Sequence, residues 1–324
     1  MQTSVSYDEI RWSSPVRHDR RKKRRRIRAW QALLFFAAVM ILLLLFGGLL
    51  YVFTGNIFLE SLAEQFFFLI SSVVFVLLMR ADLKEVFPFR KPRALAVGGV
   101  LVLLLASFLA AEVFSILALQ FAPESLKQAS ENVNGLFEGP SLAVELLMAG
   151  LCPAICEEAL HRGVLLNSFR NSFHDNRLMI LCGGLLFGVF HIYPIRMIMP
   201  AFIGFLMCWL VIRTENMLYS CLLHLGYNTV LILISSASSS AAEIDPEIME
   251  SVVSPTITGF YVLIPGIFIP FLIYLGTWMV RRATAARIPD FFGNKTERRP
   301  FLYMVAATGC ILLFGALILL GVFS

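Results

Sequence analysis

The chain has 324 residues, of which 58% are hydrophobic and only 15% charged, and its mean hydropathy is +0.77. Soluble domains carry about a quarter charged residues, so this composition excludes a water-soluble globule and predicts an all-α fold, a polytopic bundle of membrane helices. The net charge of +5 invites a nucleic-acid reading, but the basic residues concentrate in "RHDRRKKRRRIR", Arg17 to Arg28, directly ahead of an apolar run. There they fix topology and touch anionic lipid, at about 1 kcal/mol per basic residue, and no nucleic-acid partner is expected.

In chain order, residues 1–28 form a basic cytoplasmic tail and residues 29–324 one transmembrane domain. A hydrocarbon core of about 30 Å takes about 20 helical residues, and about nine runs approach that length. They are Trp30 to Phe53, Leu62 to Met79, Ala94 to Phe121, Ser141 to Leu166, Leu178 to Tyr193, Met197 to Ile212, Met217 to Ser236, Ile257 to Val280 and Phe301 to Phe323. The first is expected to remain as an anchor, since no small-residue cleavage site follows it. Pro153 should kink the fourth span. The fifth and sixth are short and are joined by a turn holding Pro194 and Pro200, so the fifth is expected to be broken or re-entrant.

With these spans, all of the 27 basic residues except Lys127 and Arg196 fall on one side, which the positive-inside rule makes cytoplasmic together with the amino terminus. The six cysteines all lie in spans, so disulfides are not expected. The segment from Ser235 to Pro255 is serine-rich, then acidic, and reads as an outer loop.

Carboxylates are costly in lipid, so those inside spans point to function. "CEEALHR" sets Glu157 and Glu158 side by side and Arg162 four residues after Glu158, the favourable order for a helical ion pair. Adjacent helical side chains diverge by about 100°, so the two glutamates need different tasks. Glu158 and Arg162 brace the helix, and Glu157 is left to face a cavity. "FGVFH" places His191 four residues after Phe187, and "LLHLGYNTV" sets His224 and Asn228 on one helical face. Glu64, Gln65, Glu112 and Glu145 complete the polar inventory, and Glu112 is read as a packing or water-facing group. Counted at 1.5 Å per residue, Glu157 lies roughly 13 Å, His224 roughly 11 Å and His191 roughly 20 Å from the cytoplasmic ends of their spans, a gap that tilt and boundary shifts cover, so the groups can meet at one depth.

A glutamate, two histidines and an asparagine suffice to hydrolyse an amide. Glu157, helped by His191, takes a proton from water. His224 and Asn228 donate to the developing oxyanion. The same Glu157, His191 and His224 also supply the three ligands of a catalytic zinc site, although no HExxH helix is present. An ion-coupled transporter is a second reading, without support from an inverted repeat. A non-catalytic immunity or binding protein is a third.

Read as EExxxR, FxxxH and HxxxN, the stretches "EEALHR", "FGVFH" and "HLGYN" resemble, in order and spacing, the three motifs of the CPBP intramembrane proteases, relatives of the CAAX prenyl endopeptidases. The resemblance spans roughly residues 141–236. It implies an intramembrane endopeptidase acting on membrane-associated, prenylated or other peptide substrates, with its cavity open to the cytoplasm. By motif it makes Glu157 the base, His191 its partner, His224 and Asn228 the oxyanion donors, and Glu158 with Arg162 the supporting pair. It leaves the glutamic and zinc-dependent forms both open; no required cofactor is the first choice and zinc the alternative. A bacterial inner membrane is the expected location.

Overall fold

Lipid offers backbone groups no hydrogen-bond partners, so each apolar run closes its own N–H and C=O groups by coiling into a helix. The computed structural model describes residues 25–122, 124, 141–238, 254–285, 291 and 298–321. Helices α1 (Ala29–Thr54), α2 (Ile57–Leu78), the single turn α3 (Leu83–Val86) and α4 (Ala94–Phe121) precede α5, an unbroken helical run over residues 142–170. Then come α6 (Asn176–Val189), α7 (Pro194–Thr214), α8 (Leu218–Ser238), α9 (Pro255–Thr284) and α10 (Arg299–Leu319). No strand occurs among the described residues. Among the described residues seven helices, α1, α2, α4, α7, α8, α9 and α10, are long and apolar enough to cross a membrane.

The fourth and fifth expected spans differ in kind. In α5, α-helical pieces (Leu142–Glu145, Cys152–Glu158, Leu166–Arg170) alternate with π-helical ones (Leu146–Leu151, Ala159–Leu165). Instead of a simple kink at Pro153, the chain widens its turn just ahead of the proline, and the Cys152 N–H reaches back five residues to the Leu147 carbonyl. Such stretches re-aim the side chains that follow and recur at functional sites. Helix α6 has 14 residues, roughly 21 Å of rise, too short for a full crossing. It ends at Val189, so His191, expected on the helix, falls in the turn after it.

That turn is tight. The Tyr193 N–H bonds the His191 carbonyl at 2.7 Å, closing three residues around Ile192, whose φ is +64°. A three-residue turn of this hand is rare, and a β-branched residue at positive φ rarer. Pro194 opens α7, where its missing N–H costs nothing, whereas Pro200, expected in the turn, lies inside that helix.

Helix α5 is the centre of the bundle: every residue from Cys156 to Phe169 is buried. On one side Phe36, Phe68, Leu160, Leu165 and Met179 pack α1, α2 and α6 against it. A second core of Val100, Leu103, Met207, Leu210, Leu223 and Val280 joins α4, α7, α8 and α9. Helices in lipid associate through close backbone approach, and small residues permit it. A Cβ on Gly99 would stand 2.7 Å from the Gly276 carbonyl oxygen, and one on Gly276 2.8 Å from that of Gly99, so α4 and α9 touch backbone to backbone.

The basic end is tied together by polar contacts. Ser172 accepts from the Ala29 N–H, and Asn171 donates to the Ile27 carbonyl. Asn216 accepts from the Arg90 N–H and donates to its carbonyl, while the Met217 N–H reaches the Pro88 carbonyl at 2.7 Å. Most of the basic tail and of the serine-rich loop lies outside the described residues.

Candidate active site

Two polar clusters share His224. The first is built on Glu158 and Arg162, one turn apart on α5 and at 0% and 1% exposure. Arg162 Nη1 donates to Glu158 Oε1 at 2.7 Å, and Nη2 to the Gly204 carbonyl of α7 at 3.4 Å. Gly204 also lets α7 lie close on α6, since a Cβ there would stand 3.0 Å from Gly184 Cα. The Arg162 guanidinium carbon also sits 4.3 Å from the centroid of the Phe187 ring of α6. In this dry setting the opposite charge, the carbonyl dipole and the ring face together offset the desolvation of the guanidinium.

The second cluster surrounds Glu157, itself 8% exposed. Its Oε1 accepts from Gln65 Nε2 of α2 at 3.2 Å, and its Oε2 faces His224 Nε2 at 3.9 Å. His224 Nδ1 lies 3.2 Å from Glu158 Oε1. A carboxylate only accepts, so Nδ1 carries a proton and Nε2 is turned toward Glu157. The 3.9 Å gap is too long for a direct hydrogen bond and short enough for one water to bridge. The imidazole therefore lies between the two glutamates, its Nδ1 fixed by Glu158 and its Nε2 facing Glu157.

His191 Nδ1 is 2.9 Å from the Phe187 carbonyl, an acceptor, which leaves Nε2 as the free nitrogen. Among the described residues His191 makes no hydrogen bond to Glu157 and stands beside the group through Phe187. That phenylalanine is the hub of the site, with its ring centroid 4.9, 5.2 and 5.5 Å from those of His161, His191 and His224, and its face under Arg162. Asn228 Nδ2 donates to the Ala149 carbonyl at 3.0 Å. Pro153 has no N–H to give to that carbonyl four residues back, so α8 supplies a donor that α5 cannot.

Residues 139–230 match the type II CAAX prenyl endopeptidase Rce1-like family model. No curated protein and no solved structure matches the chain. The Rce1-like segment contains α5 to most of α8, and so all of the motif residues. The matched family is one of CAAX prenyl endopeptidases, which points to a hydrolase, and the match together with seven apolar helices points to an integral membrane protein.

Outside the Rce1-like segment lies a contact that the motifs do not announce. Gln65 precedes Glu157 by 92 positions, and only the packing of α2 on α5 brings them together. His161 is a second residue to which the motifs assign no role. It is buried edge-on among Phe36, Phe187 and Phe190, and among the described residues neither ring nitrogen has a hydrogen-bond partner. Its one sequence signal is its place four residues after Glu157. As for zinc, among the described residues no three histidine, cysteine, aspartate or glutamate side chains converge into a ligand set.

Proposed function

We propose that the protein is an intramembrane endopeptidase in which Glu157 activates water. The water oxygen bonds to the scissile carbonyl carbon while its proton passes to Glu157, and the carbonyl electron pair moves onto oxygen. His224 Nε2–H and the second N–H of Asn228 Nδ2 stabilise that oxyanion. Glu157 then gives the proton to the departing nitrogen as the C–N bond breaks and the carbonyl re-forms. His191 offers Nε2 as a second acceptor at the water. Donation from both ring nitrogens requires His224 as the imidazolium. Glu157, Glu158, Arg162 and His224 then sum to zero charge, which limits the cost of burying four ions.

The observation that carries this reading is His224 held between the two glutamates, with Nε2 3.9 Å from Glu157 Oε2 and Nδ1 3.2 Å from Glu158 Oε1, inside the matched segment. The proposed substrates are membrane-associated peptides, prenylated ones among them, cleaved on the basic side. That side is taken as cytoplasmic, with the amino-terminal tail on anionic lipid and the protein in a bacterial inner membrane. The proposed unit is one transmembrane domain after the tail, and the mechanism uses no resident metal.

The test is hydrolysis of an internally quenched farnesylated peptide ending in a CAAX sequence, by purified protein in lipid nanodiscs. Loss of a general base lowers rate by about 10²–10⁴-fold, so Glu157→Gln should fall to the limit of detection while keeping its melting behaviour. Cleavage by Glu157→Gln at the wild-type rate would overturn the mechanism. No cleavage by any form, with ion flux in proteoliposomes, would favour a transporter instead.

A further inference from the structure

The proposed base is gripped from outside the matched segment. Gln65 is 7% exposed, and its Nε2 lies 3.2 Å from Glu157 Oε1. Because a carboxylate cannot donate, the amide must present its NH2 end to Glu157. Its other end is then committed: Gln65 Oε1 is buried and has no hydrogen-bond partner among the described residues.

A buried amide with an orphaned carbonyl is a poor packing residue, since an apolar side chain of similar volume fills the place without stranding an acceptor. On the same face of α2, Phe68 and Val76 are apolar and Ser72 is a second buried polar residue, but of the two polar side chains it is the Gln65 amide whose hydrogen bond reaches Glu157. What the amide does that methionine or leucine cannot is hold one oxygen of Glu157. With Oε1 so held, the carboxylate cannot spin about its last bond, and Oε2 stays turned to His224. Buried polar contacts around a reacting group set its aim to within a few tenths of an ångström, which reaction rates register steeply.

We propose that Gln65 is a positioning residue for hydrolysis, fixing the rotation of the Glu157 carboxylate so that Oε2 faces the attacking water and His224. This rests on Glu157 being the base. The contact also makes α2, outside the matched segment, part of the catalytic unit.

The experiment uses the full chain in nanodiscs with the quenched farnesylated peptide and compares wild type, Gln65→Met and Gln65→Glu. Methionine keeps length and volume without the donor, and glutamate keeps shape but sets a second carboxylate against the first. Aim of the base is a transition-state property, so Gln65→Met should lose about tenfold in kcat with KM within twofold. Gln65→Glu should lose about a hundredfold. Gln65→Met should also melt no earlier than wild type. A packing role predicts the reverse order, with Gln65→Met fully active, and that result, or a loss of kcat that only follows a fall in Tm, overturns the inference.

A second readout does not need turnover. The carboxylate stretch of Glu157, assigned in the infrared spectrum by its loss in Glu157→Gln, should move in Gln65→Met; an unmoved band overturns the inference. If Glu157→Gln is inactive while Gln65→Met cleaves normally, the positioning role alone fails. If Glu157→Gln cleaves normally, the base assignment fails as well.

Discussion

Glu158→Gln removes one charge from the centre of the protein and almost nothing of its shape. In the wild type, Glu158 and Arg162 are at 0% and 1% exposure, their 2.7 Å contact supported by the Gly204 carbonyl at 3.4 Å and the Phe187 ring at 4.3 Å. Breaking a buried pair costs about 3–5 kcal/mol, because the remaining ion stays desolvated. Glutamine still accepts one hydrogen bond, which recovers about 1 kcal/mol. The carbonyl and ring contacts are present in both forms and do not offset the loss. The expected destabilisation is therefore about 3 kcal/mol, a large share of the about 5–15 kcal/mol typical of a folded domain. Reversible unfolding by SDS in mixed micelles, followed by the fluorescence of the four tryptophans, reads it directly. The double variant Glu158→Gln/Arg162→Met removes both charges and should return to within about 1 kcal/mol of wild type. A single variant within about 1 kcal/mol of wild type, or a double variant that loses the sum of both single changes, would refute the reasoning.

For His224→Gln, losing one oxyanion donor of the proposed mechanism should lower kcat by about 10²–10³-fold and leave measurable activity. Elemental analysis should find no stoichiometric zinc and a strong chelator should not inhibit. One zinc per chain, lost together with activity and restored on adding zinc back, would establish the metal-dependent form instead. Cysteine tags at Lys84 and Arg298 should label from the cytoplasm and tags at Gly55 and Glu124 from outside; labelling of both pairs from one face would overturn the topology. Gly98 and Gly99 should differ in sign when changed to alanine. A Cβ on Gly99 meets the Gly276 backbone at 2.7 Å and should cost about 1–3 kcal/mol, whereas on Gly98 it meets only the flexible tip of Met279 at 3.0 Å. There the better helix propensity of alanine should leave stability equal or higher in the same SDS titration.

Helices α1, α2, α4 and α7 to α10 were legible because apolar length decides a membrane helix, with little need of tertiary context. The local pair was legible too: four residues of spacing bring Arg162 to Glu158. Less legible was anything set by departure from regular helix. Periodicity put His191 on a helix, but α6 stops at Val189 and the turn at Ile192 carries the histidine. Spacing offered Asn228 as an oxyanion donor and gave no sign that the same amide serves the Ala149 carbonyl, since that depends on Pro153 of another helix. Gln65 could be noted as a polar residue in a span, but its partner 92 positions away is a product of packing. The hub role of Phe187 was hidden for the same reason: its contacts with Arg162 and His224 come from three separate helices.

The contacts of α8 with α5 also bear on how the site responds to the bilayer. One pin between two rods leaves them free to swivel about it; two pins at different places do not. His224 to Glu158 and Asn228 to Ala149 are two such pins, separated by one turn along α8 and by more than two along α5. When bilayer thickness changes and helices adjust their tilt, these two must tilt as one body. The spacing of Glu157 and His224 is then insulated from the lipid, and the accommodation falls to α1 and α10, whose surfaces are largely exposed.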